Sequence, residues 1–259
     1  MDNPSRRAAF PRVGVTIDMH PLDEVGGVIV HDRPEARFEG LGGALAWFCD
    51  LDELESGPAA LSLLSDAERA RAERFKRDLE RRRFVARRAF ARLVLGNVVH
   101  RPAESLVFRT GRCGKPYLSN GTEPGGEVLR TLNFSVSRSE DVLGVTVAFG
   151  REVGMDLEVV RSIPDPLAIA ATQFGPAGLD LLESSPARER DFQFYRLWTR
   201  KEACAKLQGR GIDCRHAHET PAIERWTLCS FTFREHGKGV VGTLALENHA
   251  AATPASSAH

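Results

Sequence analysis

Asp156 and Glu158 stand two residues apart in VGMDLEVV, Val153–Val160. The run is β-branched and alternating, so it reads as a strand. A period of two puts both carboxylates on one face and Leu157 on the other. Like charges that close repel unless something cationic lies between them. Carboxylate oxygens are the ligands Mg²⁺ prefers, usually with waters and phosphate oxygens completing the octahedron. Alone, the pair is a weak signal and reads first as two solvated acids on an exposed sheet face. A second group follows in FYRLWTRKEACAKLQGRG, where Phe194, Trp198, Glu202 and Lys206 recur every four residues. That spacing makes one stripe along a helix. Its aromatic half can pack in a core, and Glu202 and Lys206 then point toward whatever that core borders. The same spacing also fits an ordinary helical ion pair.

A third group is basic. Residues 69–92 hold eleven Lys/Arg against three acids, a local charge of +8. Such a helix is a solvated face or a phosphate site, and arginine grips phosphate oxygens in pairs. Arg83, Arg87, Arg88 and Arg92 follow helical spacing, but Arg87 and Arg88 cannot share one direction. Phe84, Phe90, Val94 and Leu95 supply the buried side. Nucleic-acid binding is the rival use. Against it, the chain is neutral overall, so the rest carries a compensating −8, and no aromatic stacking platform is visible.

These groups need elements to hold them. With 259 residues, 42% of them hydrophobic, the chain can build one large core or two modest ones. Residues 66–98 read as helix with a break near Asp78, and Ser65 with Glu68 has the spacing of a capping box. Leu143–Phe149 and Val153–Val160 read as strands around a turn at Gly150. A long helix spans 188–207, stopped by Gly209 and Gly211. Trp226–Phe233 and Val240–Glu247 read as a hairpin around His236–Gly239, more sheet edge than function. Trp47 and Phe48 suggest an N-terminal strand or core segment. Strands and helices do not alternate regularly, so the fold class is α+β. Residues 1–35 read as a loose extension, 36–150 and 151–248 as two halves, and 249–259 as a frayed tail. No apolar run approaches the roughly 18 residues of a membrane span, and no secretory signal is apparent. Five scattered cysteines fit a reducing cytoplasm. Cys204 reads as a small buried side chain. Cys214, His216 and His218 lack a fourth ligand at zinc spacing.

In order along the chain, RRRFVARRAFARLVLG, GKPYL (Gly114–Leu118), FSVSRSEDVLGVTVA (Phe134–Ala148), GMDLE (Gly154–Glu158) and LWTRKEACAKLQGRG (Leu197–Gly211) resemble the motifs of Sfp-type 4′-phosphopantetheinyl transferases. The match covers roughly residues 65–212, and W-T-x-K-E-A-x-x-K with G-x-D-x-E upstream is its most specific part. The resemblance implies an enzyme, a holo-[acyl-carrier-protein] synthase, that transfers the phosphopantetheine of coenzyme A to a serine of an apo acyl or peptidyl carrier protein. It implies two similar α/β halves related by a pseudo-twofold axis, with coenzyme A between them. One chain then supplies both walls, so a monomer suffices, with neither nucleic acid nor membrane as partner. It implies Mg²⁺ held by Asp156, Glu158 and Glu202, with Glu202 also the candidate base and Lys206 stabilising charge. Arg83 and Lys115 would hold the 3′-phosphate end of coenzyme A. Arg88, Pro116, Ser137 and Arg138 complete the implied coenzyme site. A variable segment between Ile163 and Leu182 would offer apolar contacts to the carrier.

One departure stands out. In the preferred register, which keeps Phe134 and Asp141 in step, the family's histidine in S-H-S falls on Arg138 and its preceding asparagine on Ser135; a second register puts Asn133–Ser137 on the pattern, with Val136 replacing the histidine. Arginine keeps the cation but cannot accept a proton at neutral pH. A non-catalytic relative that binds coenzyme A or a carrier protein is therefore the alternative.

Overall fold

The computed structural model describes residues 17–18, 28–30, 35–38, 44–54, 56–111, 114–119, 129, 131–209 and 226–248. The N-terminal part runs through strands β1 (Ile17–Asp18), β2 (Val28–Val30), β3 (Glu35–Phe38) and β4 (Leu45–Asp50). Helices α1 (Pro58–Ser62), α2 (Asp66–Glu73) and α3 (Asp78–Val98) follow, then a short ribbon of β5 (Phe108–Thr110) and β6 (Pro116–Leu118). Next come β7 (Leu132–Ser139), β8 (Val142–Phe149) and β9 (Val153–Val159). Helices α4 (Pro166–Gln173), α5 (Gly175–Ser184) and α6 (Arg190–Leu207) precede the hairpin β10 (Trp226–Glu235) and β11 (Lys238–Glu247). One sheet has the order β2-β3-β4-β8-β7 and the other β1-β10-β11-β9, all pairs antiparallel. The chain changes sheets between Phe149 and Val153. Mixed helix and antiparallel sheet in this order is α+β.

Alternation along the strands explains the layers. Val142 and Ala148 of β8 join Phe48, Met155, Leu157, Phe231 and Leu244 in an apolar layer shared by the two sheets. Leu143, Val145 and Val147 point the other way, onto Phe90, Val94 and Leu95 of α3. On the second sheet, Val241 and Ala245 face the helices, packing with α6 residues Phe194, Ala203 and Leu207.

The β10–β11 turn places His236 and Gly237 at φ 45° and 79°. Two left-handed residues in a two-residue loop match the right-handed twist of a hairpin. This hairpin is interior to its sheet rather than an edge, because β1 and β9 flank it. The stretch read as a loose extension likewise contributes β1 to one sheet and β2 to the other. Two- and three-residue strands are too short to show a period. Gly211, the CRHAH run and the C-terminal tail lie outside the described residues.

The capping box opens α2: the Ser65 hydroxyl accepts from Glu68 N, and the Glu68 carboxylate accepts from Ser65 N at 2.9 Å. Glu68 also receives Arg88 and Arg92 from α3. Arg92 is 1% exposed and donates to the carbonyls of Ala103 and Leu106, both at 2.9 Å. The helix break lies at residues 74–77, and Asp78 restarts the helix with its carboxylate near the positive end, bonded to Arg81.

Candidate active site

Strand β9 turns its odd residues into the core and its even residues, Gly154, Asp156 and Glu158, toward α6. The helix can come this close only because position 154 is glycine. A Cβ there would lie 2.1 Å from Ala203 O and 2.4 Å from Leu207 N, both backbone. Gly154→Ala must therefore push α6 outward, carrying Glu202 and Lys206 with it. Overpacking of this kind costs about 1–3 kcal/mol. A displacement of about 1 Å at a reacting centre can cost about 100-fold in rate. Urea unfolding and kcat measured together test this, and a variant with parental kcat would refute it.

Helix α6 carries the expected stripe. Phe194 and Trp198 stack at 6.0 Å between centroids, with Phe174 of the α4–α5 junction 5.1 Å from Phe194. Next along the stripe come Glu202 and then Lys206. Lys206 Nζ lies 2.7 Å from Asp156 Oδ1 and 2.8 Å from Ser137 Oγ. Ser137 itself donates to Asp156 Oδ1 at 2.8 Å. Asp156 is 5% exposed, and its other oxygen, Oδ2, is buried with no hydrogen-bond partner.

Two more acids share this charge. Burial raises the pKa of Glu158; a hydrogen bond from Ser139 opposes the shift, and the Asp156 charge adds to it. Burial also raises Glu202, reinforced by Asp156 and opposed by Lys206 and Lys201. A buried, unsatisfied carboxylate oxygen with two further acids near enough to feel its charge is a donor set for a hard divalent cation, which prefers oxygen ligands. The residues fit Mg²⁺ on that ground.

Among the described residues, the acids whose ligand atoms all lie within 4.8 Å of one another are a different trio: Asp50, Asp52 and Asp141. Protein groups already bond each of those three, although Asp141 Oδ1, like Asp156 Oδ2, is buried with no hydrogen-bond partner. His236 lies 2.8 Å from Asp50, Arg83 bonds Asp52 through two nitrogens, and Lys238 donates to Asp141 at 2.6 Å. The distances make this an ion-pair network across the two parts of the chain.

A cavity of about 390 Å³ lies against α3, lined by the aromatic rings of Phe75 and Phe84, by Arg83, Arg87 and Arg138, and by one acid, Glu80, among others. A second, of about 560 Å³, adjoins Phe75 and adds Arg71 and Arg74. Burial lowers the pKa of Arg87 to about 10, helped by the charges of Arg138, Arg88 and Arg71. Arg87 remains a cation at neutral pH, held among like charges. That is the electrostatics of a site that gains by receiving an anion.

The model of the 4′-phosphopantetheinyl transferase superfamily matches residues 152–254, which include β9 and α6. The 4′-phosphopantetheinyl transferase HetI of Nostoc sp. is 35% identical over 167 residues, covering 64% of this chain and 68% of the relative. This chain belongs to the 4′-phosphopantetheinyl transferase family. The transferase is also 31% identical to psf-1 of Bacillus pumilus over 188 residues, 73% of this chain and 70% of that one. To Sfp of Bacillus subtilis it is 25% identical over 197 residues, 75% and 77% of the two chains.

The structure of the transferase brings some expected residues together and sends others elsewhere. Asp156, Glu158, Glu202, Lys206 and Ser137 form one group. Arg83 and Arg138 line the basic cavity, although Arg83 is also clamped by Asp52. Arg88 is not in that lining. Its guanidinium bonds Glu68 and lies 4.7 Å over the Phe108 ring, so its fork is engaged inside the fold. Lys115 is likewise engaged: its ammonium donates to Glu152 Oε2 at 2.6 Å, Leu207 O at 3.0 Å and Val153 O at 3.2 Å. An ammonium has three donors, so Lys115 closes the end of α6 rather than facing a phosphate. Pro116 pairs with Thr110 in the β5–β6 ribbon.

Arg87, named among the helically spaced arginines, is absent from the implied coenzyme site, yet it lines the cavity. Its signal was there, since Arg87 lies four positions after Arg83 and so shares its face. Ser139, bonded to Glu158, was missed as well. Its signal is the S-x-S-x-S alternation Ser135–Ser137–Ser139, which puts all three hydroxyls on one side of β7.

Proposed function

We propose that this transferase moves the phosphopantetheine arm of coenzyme A onto a serine of an apo acyl or peptidyl carrier protein, with Mg²⁺ held by Asp156, Glu158 and Glu202. The observation that carries the metal assignment is the buried, unsatisfied Oδ2 of Asp156, with Glu158 and Glu202 near enough that its charge raises the pKa of each. When bound, the ion would offset the negative charge of the pyrophosphate.

The carrier serine hydroxyl attacks the β-phosphorus. A new serine O–P bond forms and the P–O bond to adenosine 3′,5′-bisphosphate breaks, the electron pair leaving with that product. Glu202 takes the serine proton. Lys206 offsets negative charge beside Asp156. Phosphates of coenzyme A fit the two basic cavities, where Arg87, Arg138 and Arg83 supply cations and Phe75 and Phe84 supply flat apolar walls. Arg138 keeps a positive charge at the family's histidine position and takes no part as a base.

The two sheets, each packed on a long helix, support the pseudo-twofold reading, and one chain bearing both parts supports a monomer. Ile169 on α4 and Leu181 on α5, 39% and 44% exposed, support carrier docking on this segment. The thiols of Cys204 and Cys229 fit a reducing cytoplasm.

Mass spectrometry of an apo carrier protein incubated with the transferase, coenzyme A and Mg²⁺ tests the reaction. The expected result is a gain of one phosphopantetheine, abolished by EDTA and by Asp156→Ala. Coenzyme A binding without any gain across acyl and peptidyl carriers would overturn it in favour of a non-catalytic relative.

A further inference from the structure

The edges of the two sheets meet at β7 and β9, and side chains rather than a backbone ladder join them. Met155 N donates to Ser135 Oγ at 3.1 Å, Leu157 N to Ser137 Oγ at 3.3 Å, and Val159 N to Ser139 Oγ at 3.1 Å. All three serines are buried. A hydroxyl also has one proton to give. Ser135 points its proton at Met155 O, 3.5 Å away. Ser137 gives its proton to Asp156, and Ser139 gives its own to Glu158 Oε2 at 2.5 Å. The bonds that set the register between the sheets thus also set the orientation of two acids.

We propose that Ser139 is a positioning residue for the metal site: its hydroxyl, anchored by Val159 N, fixes the Glu158 carboxylate in the orientation that binds the divalent ion. The proposal rests on the Mg²⁺ reading given above. Groups that orient metal-binding carboxylates in this way are worth about 10- to 100-fold in metal affinity or activity. Ser135 is the internal comparison. It makes the same bond across the seam but touches no carboxylate, so losing it reports the structural share alone.

Mn²⁺ titrated into the protein, with the free ion followed by electron paramagnetic resonance, supplies a readout independent of turnover. Ser139→Ala is expected to weaken Mn²⁺ binding about tenfold or more, and Ser135→Ala to leave it unchanged, with similar losses in urea midpoint for both. Ser139→Cys keeps the side-chain shape at a slightly larger size but supplies only a weak S–H donor, and it carries the same expectation should the alanine variant not fold. Equal Mn²⁺ affinity in the Ser139 and Ser135 variants, with binding lost in Asp156→Ala, would overturn the role of Ser139 alone. Undiminished binding in Asp156→Ala would overturn the metal reading beneath it.

Discussion

Glu202→Gln is expected to lower kcat by about 10²- to 10⁴-fold, the usual contribution of a positioned acid or base. The same change is expected to make the metal-free protein slightly more stable. The first follows from the role of Glu202 as base, and the second from burial and the Asp156 charge, which hold the Glu202 carboxyl above its ordinary pKa in the metal-free protein. A carboxylate with a raised pKa costs stability at neutral pH, where it must stay ionised, and glutamine has the same shape without the charge. Glutamine also keeps a carbonyl oxygen that can face the ion, so metal affinity should fall less than rate. Thermal unfolding in EDTA, together with single-turnover transfer kinetics, checks the two halves. A Gln variant that transfers at near the parental rate would remove Glu202 from the role of base. Opposed effects on rate and stability are what a site built for function, rather than for the fold, should show.

The parts of this site that sequence made legible are those whose signal is local. A period of two predicted that Asp156 and Glu158 share a face, and β9 turns them together toward α6. A period of four predicted one stripe from Phe194 to Lys206, and α6 carries it from an aromatic cluster to Asp156. Where the deciding partner is remote, sequence was mute. Arg87 and Arg88 are adjacent and chemically identical, and what separates them is Glu68, twenty positions upstream, which takes Arg88. Lys115 sits in a motif implied to face coenzyme A, yet its acceptors lie 37, 38 and 92 positions away. Edge or interior is also a remote property: β10 is interior only because Ile17–Asp18 pairs with it.

Glu68→Ala is expected to cost about 3–5 kcal/mol of stability, the range for removing one partner of a buried ion pair. Arg92 is the reason. Its guanidinium is almost wholly enclosed, and Glu68 is the carboxylate it bonds. Burial works against the ionised carboxyl of Glu68, but the Ser65 N–H and the guanidiniums of Arg88 and Arg92 outweigh it and hold its pKa below the ordinary value. The resulting stability is present at neutral pH and is lost as pH falls through that lowered pKa. Below it the gap between parent and variant should narrow toward the share of the cap. Glu68→Gln separates the contributions, because glutamine can still complete the capping box with Ser65 and loses only the charge. A cap is worth about 0.5–2 kcal/mol, so Gln should fall between parent and Ala. Urea midpoints at neutral and acidic pH measure all of this. A gap that did not change with pH would mean that the cost arises from the cap and packing rather than from the enclosed charge of Arg92.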